Sequence, residues 1–416
     1  MKKTLVAIAA LASVSAFAQS TVTIAGDLDF GFRSVNAPGA YADTSGLFHD
    51  GAATTAIFFR VTEDLGGGLS ANFQYEMNPD MVGGSGVSGV GLGQSSLAQA
   101  TGSGATSATS GFQYANSSTG AAGNNFLSLK STTAGELKLG RLNTGTLSAW
   151  GTMSVFGTKL GGGYGSAGQY VRYGATPTTN WNTAPTRFNN AIEYTTPDMS
   201  GFKARLLYVP MVDQGGASSA QNAITTGATF SGATNVSSTV TGNLQSAGVN
   251  RAGAQDISLA YSQGPLNVMA AIQTIRVGAN GINAFVAVGP ALTASTTSTL
   301  TTLAANYKFG NTTVYGGTWN EKQDTATAVD VAGRIVGVKY SMGATDLMAS
   351  TAQTTDTGTT AGVGRKIVGL GANYNLSKMS YLYVRYENRD VSTASDTDLS
   401  TNGNTKTTAV GLKVSF

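Results

Sequence analysis

Apolar and polar side chains alternate along residues 21–33. Val22, Ile24, Leu28, Phe30 and Phe32 share one phase, and Thr21, Thr23, Asp27, Asp29 and Arg33 share the other. A period of two belongs to a β-strand, whose successive side chains point to opposite faces. The pattern returns in segment pairs separated by tight turns. Residues 53–64 and 67–77 flank a glycine-rich turn, 125–132 and 135–141 flank Thr133-Ala134, and 187–196 and 201–210 flank Pro197-Asp198-Met199-Ser200. Pairs 253–263/265–277, 298–309/311–323 and 333–342/344–354 meet at Gly264, Gly310 and Gly343, and 366–376/379–389 meet at Ser377-Lys378. Segment 406–416 ends the chain, which makes sixteen strands joined by seven short turns and eight longer connections. An even count puts both ends on one side, where the first strand can pair with the last and leave no open edge.

Composition decides what such a sheet is for. Charged residues make up 11%, against about 25% in an ordinary soluble domain. There are 55 glycines and no cysteine, so no disulfide holds the structure. After the first residues no apolar run is long enough for a membrane helix, which needs roughly 20 residues. Too few charges to cover a water-facing surface, with strands in place of helices, predict an all-β fold. It is a transmembrane antiparallel β-barrel of 16 strands with lipid outside and water inside. Tyr75, Tyr194, Tyr208, Tyr261, Tyr307, Phe309 and Tyr374 lie near strand ends on the apolar phase, where interfacial aromatic girdles sit. An extracellular solenoid or adhesin shares the Gly/Ser/Thr-rich composition but has no reason for the turn rhythm.

Lys2 and Lys3, the apolar run 5–17 and Ala16-Phe17-Ala18 have the form of an export signal with its cleavage triplet. The expected division is a signal peptide over 1–18 and a barrel over 19–416. Loss of the two lysines takes the net charge from +3 to +1, which gives no ground for nucleic-acid binding. Three connections stand out. Residues 78–123 and 211–252 are low-complexity and expected to be solvated. Residues 143–186 carry Trp150, Phe156, Tyr164, Tyr170, Tyr173 and Trp181, which suits a loop packed against something.

Several motifs carry a resemblance. They are Glu63-Asp64-Leu65-Gly66-Gly67-Gly68-Leu69, Leu137-Lys138-Leu139-Gly140-Arg141, Arg187-Phe188-Asn189-Asn190-Ala191-Ile192-Glu193-Tyr194, Pro197-Asp198-Met199-Ser200-Gly201-Phe202 and the terminal Val414-Ser415-Phe416. With these the chain resembles the general porins of Gram-negative bacteria, β-proteobacterial type. The resemblance implies a homotrimer in the cell outer membrane, in contact with the bilayer and its lipopolysaccharide. The third external loop would fold into the pore, and Phe416, with Val414 and Leu412 in phase, would be read by the barrel-assembly machinery. It implies passive diffusion of small hydrophilic solutes and ions. It places Arg187 as a wall arginine, Arg141 as the arginine leading into the third loop and Arg60 as a basic position near the first turn. Two further arginine positions of the family carry Ala56 and Gly123, and the usual acidic residue of the loop falls at Ser154.

Residues 143–186 contain no Asp or Glu, only Lys159 and Arg172. A constriction made from them is expected to be positive with little compensation, and basic rings favour anions. Alternation places Arg33, Arg60, Lys130, Lys138, Arg187, Lys203, Arg205, Lys308, Lys339, Arg385, Arg389 and Lys413 inward with Asp27, Asp29, Glu76, Glu136, Glu193, Asp256 and Glu387. Arg187 shares its face with Asn189 and Glu193. Twelve against seven predicts a modest anion preference. No catalytic residue, metal or cofactor is expected. The single histidine, His49, sits beside Asp50 in the short first loop as a solvated residue, and clustered Cys/His ligands are missing. The run Gly161-Gly162-Gly163-Tyr164-Gly165 lacks the strand–turn–helix context of a phosphate loop. A substrate-specific channel for sugars or organic acids, using Tyr381 and Tyr383, and a plugged structural barrel are the alternatives.

Overall fold

A computed structural model describes residues 20–36, 44–79, 82, 123–164, 170–171, 182–213, 251–277, 296–324, 329–356, 364–391 and 403–416. Among them lie strands β1 (Thr21–Asn36), β2 (Thr44–His49), β3 (Ala56–Gly66), β4 (Leu69–Met77), β5 (Asn125–Ser131) and β6 (Gly135–Asn143). One helix, α1 (Gly145–Met153), follows, then β7 (Tyr170–Val171), β8 (Asn182–Thr183), β9 (Arg187–Thr195), β10 (Phe202–Asp213), β11 (Arg251–Gln263) and β12 (Leu266–Val277). The remainder are β13 (Thr296–Phe309), β14 (Thr312–Gln323), β15 (Val329–Met342), β16 (Thr345–Asp356), β17 (Gly364–Asn375), β18 (Ser380–Val391) and β19 (Gly403–Ser415).

All strands but β2, β7 and β8 form one antiparallel ring in chain order, a closed sixteen-stranded barrel. The ring shuts where β1 meets β19, from Asp27 opposite Ser415 to Asn36 opposite Lys406. Gly26 and Phe416 exchange backbone hydrogen bonds of 3.0 Å in both directions, which pairs the last residue of the chain. The short turns fall at the expected places. Gly310 and Gly343 take φ of 57° and 59°, a left-handed conformation open to a residue without a Cβ.

Alternation sorts the side chains as a bilayer requires. Ile272, Leu303, Leu370 and Val384 are exposed on one face, while Gln273, Thr302 and Ser350 are buried on the other. Exposure of large aliphatic residues along a continuous belt fits a hydrocarbon solvent. The second face is not uniformly polar, contrary to the expectation from alternation. Leu207, Ile275, Leu300, Trp319, Ile335 and Ile367 are buried on it.

Three further features depart from the sequence reading. The strands extend beyond the alternating segments at their loop ends, so that β15 begins at Val329 and β19 at Gly403. The first loop holds β2, which pairs with β1 from Phe30–His49 to Val35–Thr44, so His49 is a strand residue, half-buried. The alternation called for no helix, yet α1 is present. The low-complexity connections 78–123 and 211–252 lie for most of their length outside the described residues.

Leu303 stands midway along β13. Replacement by arginine should lower barrel stability by about 2–4 kcal/mol, whereas Thr355→Lys near the loop end of β16 should cost about 0–1 kcal/mol. Urea unfolding of the protein refolded in lipid vesicles measures both, and equal costs would contradict a lipid-facing belt.

Candidate functional site

The segment 144–164 is built to stick to the wall. Thr144 caps α1, its hydroxyl accepting from Leu147 N at 3.2 Å. The first helical N–H groups of Gly145 and Thr146 donate to the two oxygens of Asp256 on β11, at 2.8 and 3.3 Å. A carboxylate at a helix N-terminus meets both unpaired donors and the positive end of the helix dipole. Trp150 is fully buried and packs edge-on against Tyr164 and Trp319, at centroid distances of 5.3 and 5.4 Å. Its indole N–H donates to Gly157 O at 2.7 Å. With Met153 and Tyr164 it joins Leu207, Ile275, Leu300 and Ile335 in one apolar cluster. Those wall residues alternate with Leu303, Val336 and their like, so the segment covers the face opposite the exposed belt.

Farther along, Gly161 N donates to Glu387 Oε2 at 2.8 Å, and Gly161 O accepts from Ser350 Oγ at 2.9 Å. A Cβ on Gly369 would lie 1.9 Å from Gly161 O. The wall is therefore stripped to glycine where the segment crosses it. Ser154, at the family's acidic position, accepts no charge and donates to Gly157 O at 2.9 Å.

Between β2 and β3 the chain turns in from the sheet and meets this segment. Asp29 Oδ2 accepts Ala52 N and Ala53 N, both at 2.6 Å, and Asp29 Oδ1 accepts the Tyr383 hydroxyl at 2.6 Å. Asp50, buried, accepts Thr55 N at 2.5 Å and lies 3.2 Å from His49 Nδ1. Its other oxygen is 3.8 Å from Lys159 Nζ, and Leu160 N donates to Gly51 O at 3.2 Å. Burial pushes the Asp50 carboxyl up. Lys159, the hydrogen bonds from His49 and Thr55 N, and the charge on His49 outweigh it and hold the group below the ordinary carboxylate range. Burial drives the Lys159 ammonium below its usual range, with Asp50 and Asp29 opposing. Burial also raises the Tyr164 phenol, whose O–H donates to Ala184 O at 3.0 Å.

A second group runs across β6, β9, β10 and β11 as alternating charges. Lys138 Nζ lies 3.5 Å from Glu136 and 3.2 Å from Glu193. Arg205 lies 3.6 Å from Glu193 and 4.0 Å from Asp256. Glu193 and Arg205 thus belong to one ladder of two cations and three carboxylates rather than standing alone.

The other expected site residues are dispersed. Arg141 donates to Asn189 Oδ1 at 2.6 Å, and Arg187 meets Glu76 at 3.5 Å. Arg187 does not share the phase of Glu193. The ladder skips between Gly140 and Leu142, and Asn190 takes φ 52°, so Phe188 falls into phase with Ala191 and Glu193 and is buried with Ala191. The bulge is a one-residue slip that strict alternation cannot anticipate. Arg60 is exposed and donates to Gln74 Oε1 at 2.9 Å. Arg385 is buried, donates to Ala372 O, Val384 O and Asn373 Oδ1, and lies 5.4 Å over the Phe156 ring. Arg33 lies 5.5 Å over Phe48, and Lys130 is exposed beside Glu136 in register. Arg172 lies outside the described residues. Lys159 is not the uncompensated charge expected from the loop's own composition, because its carboxylate comes from Asp50 in a different loop. Leu412 and Val414 are in register with Phe30 and Leu28 on β1. Among the described strand residues, two buried charges escaped the reading. Glu321 accepts from Ser298 and Gln323, and eight residues of unbroken alternation from buried Thr313 would have found it. Arg365, also buried, lies just beyond the segment that alternation delimited.

The match that decides identity covers residues 4–394, against the family model described as Gram-negative porin. The chain belongs to that family. A curated porin, outer membrane porin protein 32 of Delftia acidovorans, is 33% identical over 210 residues, 50% of this chain and 49% of the relative. The chain thus spans about half the length of the curated relative it matches. The anion-selective porin from Comamonas acidovorans superposes with a TM-score of 0.65 at 21% identity, covering 96% of this porin and all of that chain. The trimer form of OmpT, an outer membrane protein of Vibrio cholerae, gives 0.58 at 13% identity, with 95% and 99% covered.

Asp256→Ala should detach the start of α1 and leave Arg205 with Glu193 as its one remaining carboxylate among the described residues. A cost on the order of 3 kcal/mol is expected, as for other broken buried pairs. Asp256→Asn, whose amide oxygen can still accept Gly145 N, should cost less. Urea midpoints together with near-ultraviolet circular dichroism of the Trp150–Tyr164–Trp319 cluster measure this, and an unchanged aromatic signal in Asp256→Ala would contradict the anchoring role.

Proposed function

We propose that this porin is an outer-membrane channel for passive diffusion of small hydrophilic solutes and ions, modestly selective for anions. Segment 144–164 lies within the barrel and narrows the water path, because it covers the face turned away from lipid. One observation carries the anion preference. Among the described residues, Arg60 and Arg385 have no carboxylate within ion-pair distance and are held by neutral acceptors, Gln74 for one and Asn373 with two carbonyls for the other. Uncancelled cations on a lumen wall, focused by low-dielectric surroundings, raise the local concentration of anions. The structurally similar anion-selective porin from Comamonas acidovorans supports the same sign. Residues 1–18 act as the cleaved export signal, and the working unit is a homotrimer in contact with lipopolysaccharide. Phe416 with Val414 and Leu412 is the part of the finished strand offered to the barrel-assembly machinery.

In planar bilayers under a potassium chloride gradient, the refolded protein should conduct and reverse on the chloride side of zero. Arg385→Gln and Arg60→Gln, each removing one uncancelled charge, should lower the anion-to-cation permeability ratio by about two-fold. A barrel that folds but passes no current would overturn the channel reading. A clear cation preference in the parent protein would overturn the selectivity.

A further inference from the structure

The pairing between the first and third loops has a consequence for selectivity. We propose that Asp50 is a selectivity-setting residue of the channel, cancelling the one described cation of the third loop, Lys159, from a different loop. The inference rests on the channel reading above.

The other carboxylates near Lys159 are committed elsewhere. Asp29 is taken by Ala52 N, Ala53 N and the Tyr383 hydroxyl. Glu76 faces Arg187 and accepts Asn124 N at 2.7 Å. That leaves Asp50 as the carboxylate within 4 Å of Lys159 among the described residues, at 3.8 Å, with both side chains less than one tenth exposed. The backbone at Asp50 takes φ 68°, a left-handed conformation that glycine or asparagine adopts as readily. The turn itself therefore does not require a negative charge: Asp50 Oδ1 serves Thr55 N and His49, and its Oδ2 is the oxygen turned to Lys159. The adjacent backbone bond from Leu160 N to Gly51 O keeps the two loops at this separation. Arg187 and Glu76 also act on Lys159 through space, so the pair sits within the same field as the wall arginines.

A charge removed from one member of a close pair uncovers the other, so the two single variants must move selectivity in opposite directions. Reversal potentials of the refolded full-length protein are compared in a low-salt potassium chloride gradient, where screening is weak. Asp50→Asn, which keeps the left-handed turn accessible, should raise the anion-to-cation permeability ratio by about two-fold, and Lys159→Gln should lower it by a similar factor. The double variant should return close to the parent value. Shifts of the same sign, or no shift in either variant, would overturn the proposal while leaving the channel reading intact. If Asp50→Asn gives no folded barrel, Lys159→Gln decides alone: a ratio that is unchanged or higher overturns the proposal. A parent protein that passes no current removes the channel reading and this inference with it.

Discussion

The whole molecule depends on one constraint, that no backbone N–H or C=O can be left unpaired in hydrocarbon. Each such group costs several kcal/mol without water to meet it. An open sheet would leave two rows of them exposed. The β1–β19 ladder removes both, and the reciprocal bonds between Gly26 and Phe416 carry the pairing to the final residue of the chain. Closure has a second effect. It divides the side chains into an outer and an inner set, so every later property of the protein follows from which set a residue joins.

The outer set needs only to be greasy. The inner set has two tasks that compete. It must present polar groups to water, and it must hold a loop that carries little charge of its own. The wall resolves this by region. Leu207, Ile275, Leu300, Trp319 and Ile335 form an apolar platform for Trp150, Met153 and Tyr164. Asp256, Gln273, Ser350 and Glu387 supply polar anchors at both ends of the same segment. Apolar burial holds the middle of the loop, and hydrogen bonds set where it starts and crosses. Truncating Trp150 would remove the largest single contact of the platform, and aromatic-to-alanine changes in such cores cost about 3–5 kcal/mol.

The barrel was legible because period two repeated sixteen times is a signal that sums over the chain, although each strand alone is ambiguous. Closure, turn positions and the outward phase of Leu303 or Val384 follow directly from it. The platform was not legible, since an inward Leu300 looks in sequence like any strand apolar residue. It becomes distinct only when its parity is read against Leu303. The helix α1 was hidden by its content of Gly, Thr and Ser, and beside its local cap Thr144 the carboxylate that anchors its first N–H groups comes from Asp256, 111 residues away. The bulge at Asn190 shifted Arg187 out of the expected phase for a local backbone reason. Lys159 was recognised as a loop cation, but its partner could not be found by counting charges within the loop, because Asp50 arrives from the turn between β2 and β3.

That last point alters how charge in the lumen has to be counted. A tally of inward residues gives twelve basic against seven acidic and suggests a field spread over the whole wall. The geometry concentrates it. Lys138 and Arg205 are each held between carboxylates in their ladder, where Glu136, Glu193 and Asp256 outnumber them by one, Arg187 meets Glu76, and Lys159 meets Asp50. An ion pair a few ångströms long acts as a dipole, and its field fades faster with distance than that of a lone charge, within a medium that already screens beyond about 8 Å at physiological salt. The cations held by amides and carbonyls, Arg60 and Arg385, keep their full reach. Selectivity in such a channel is therefore set less by how many arginines face the water than by which acceptors hold them.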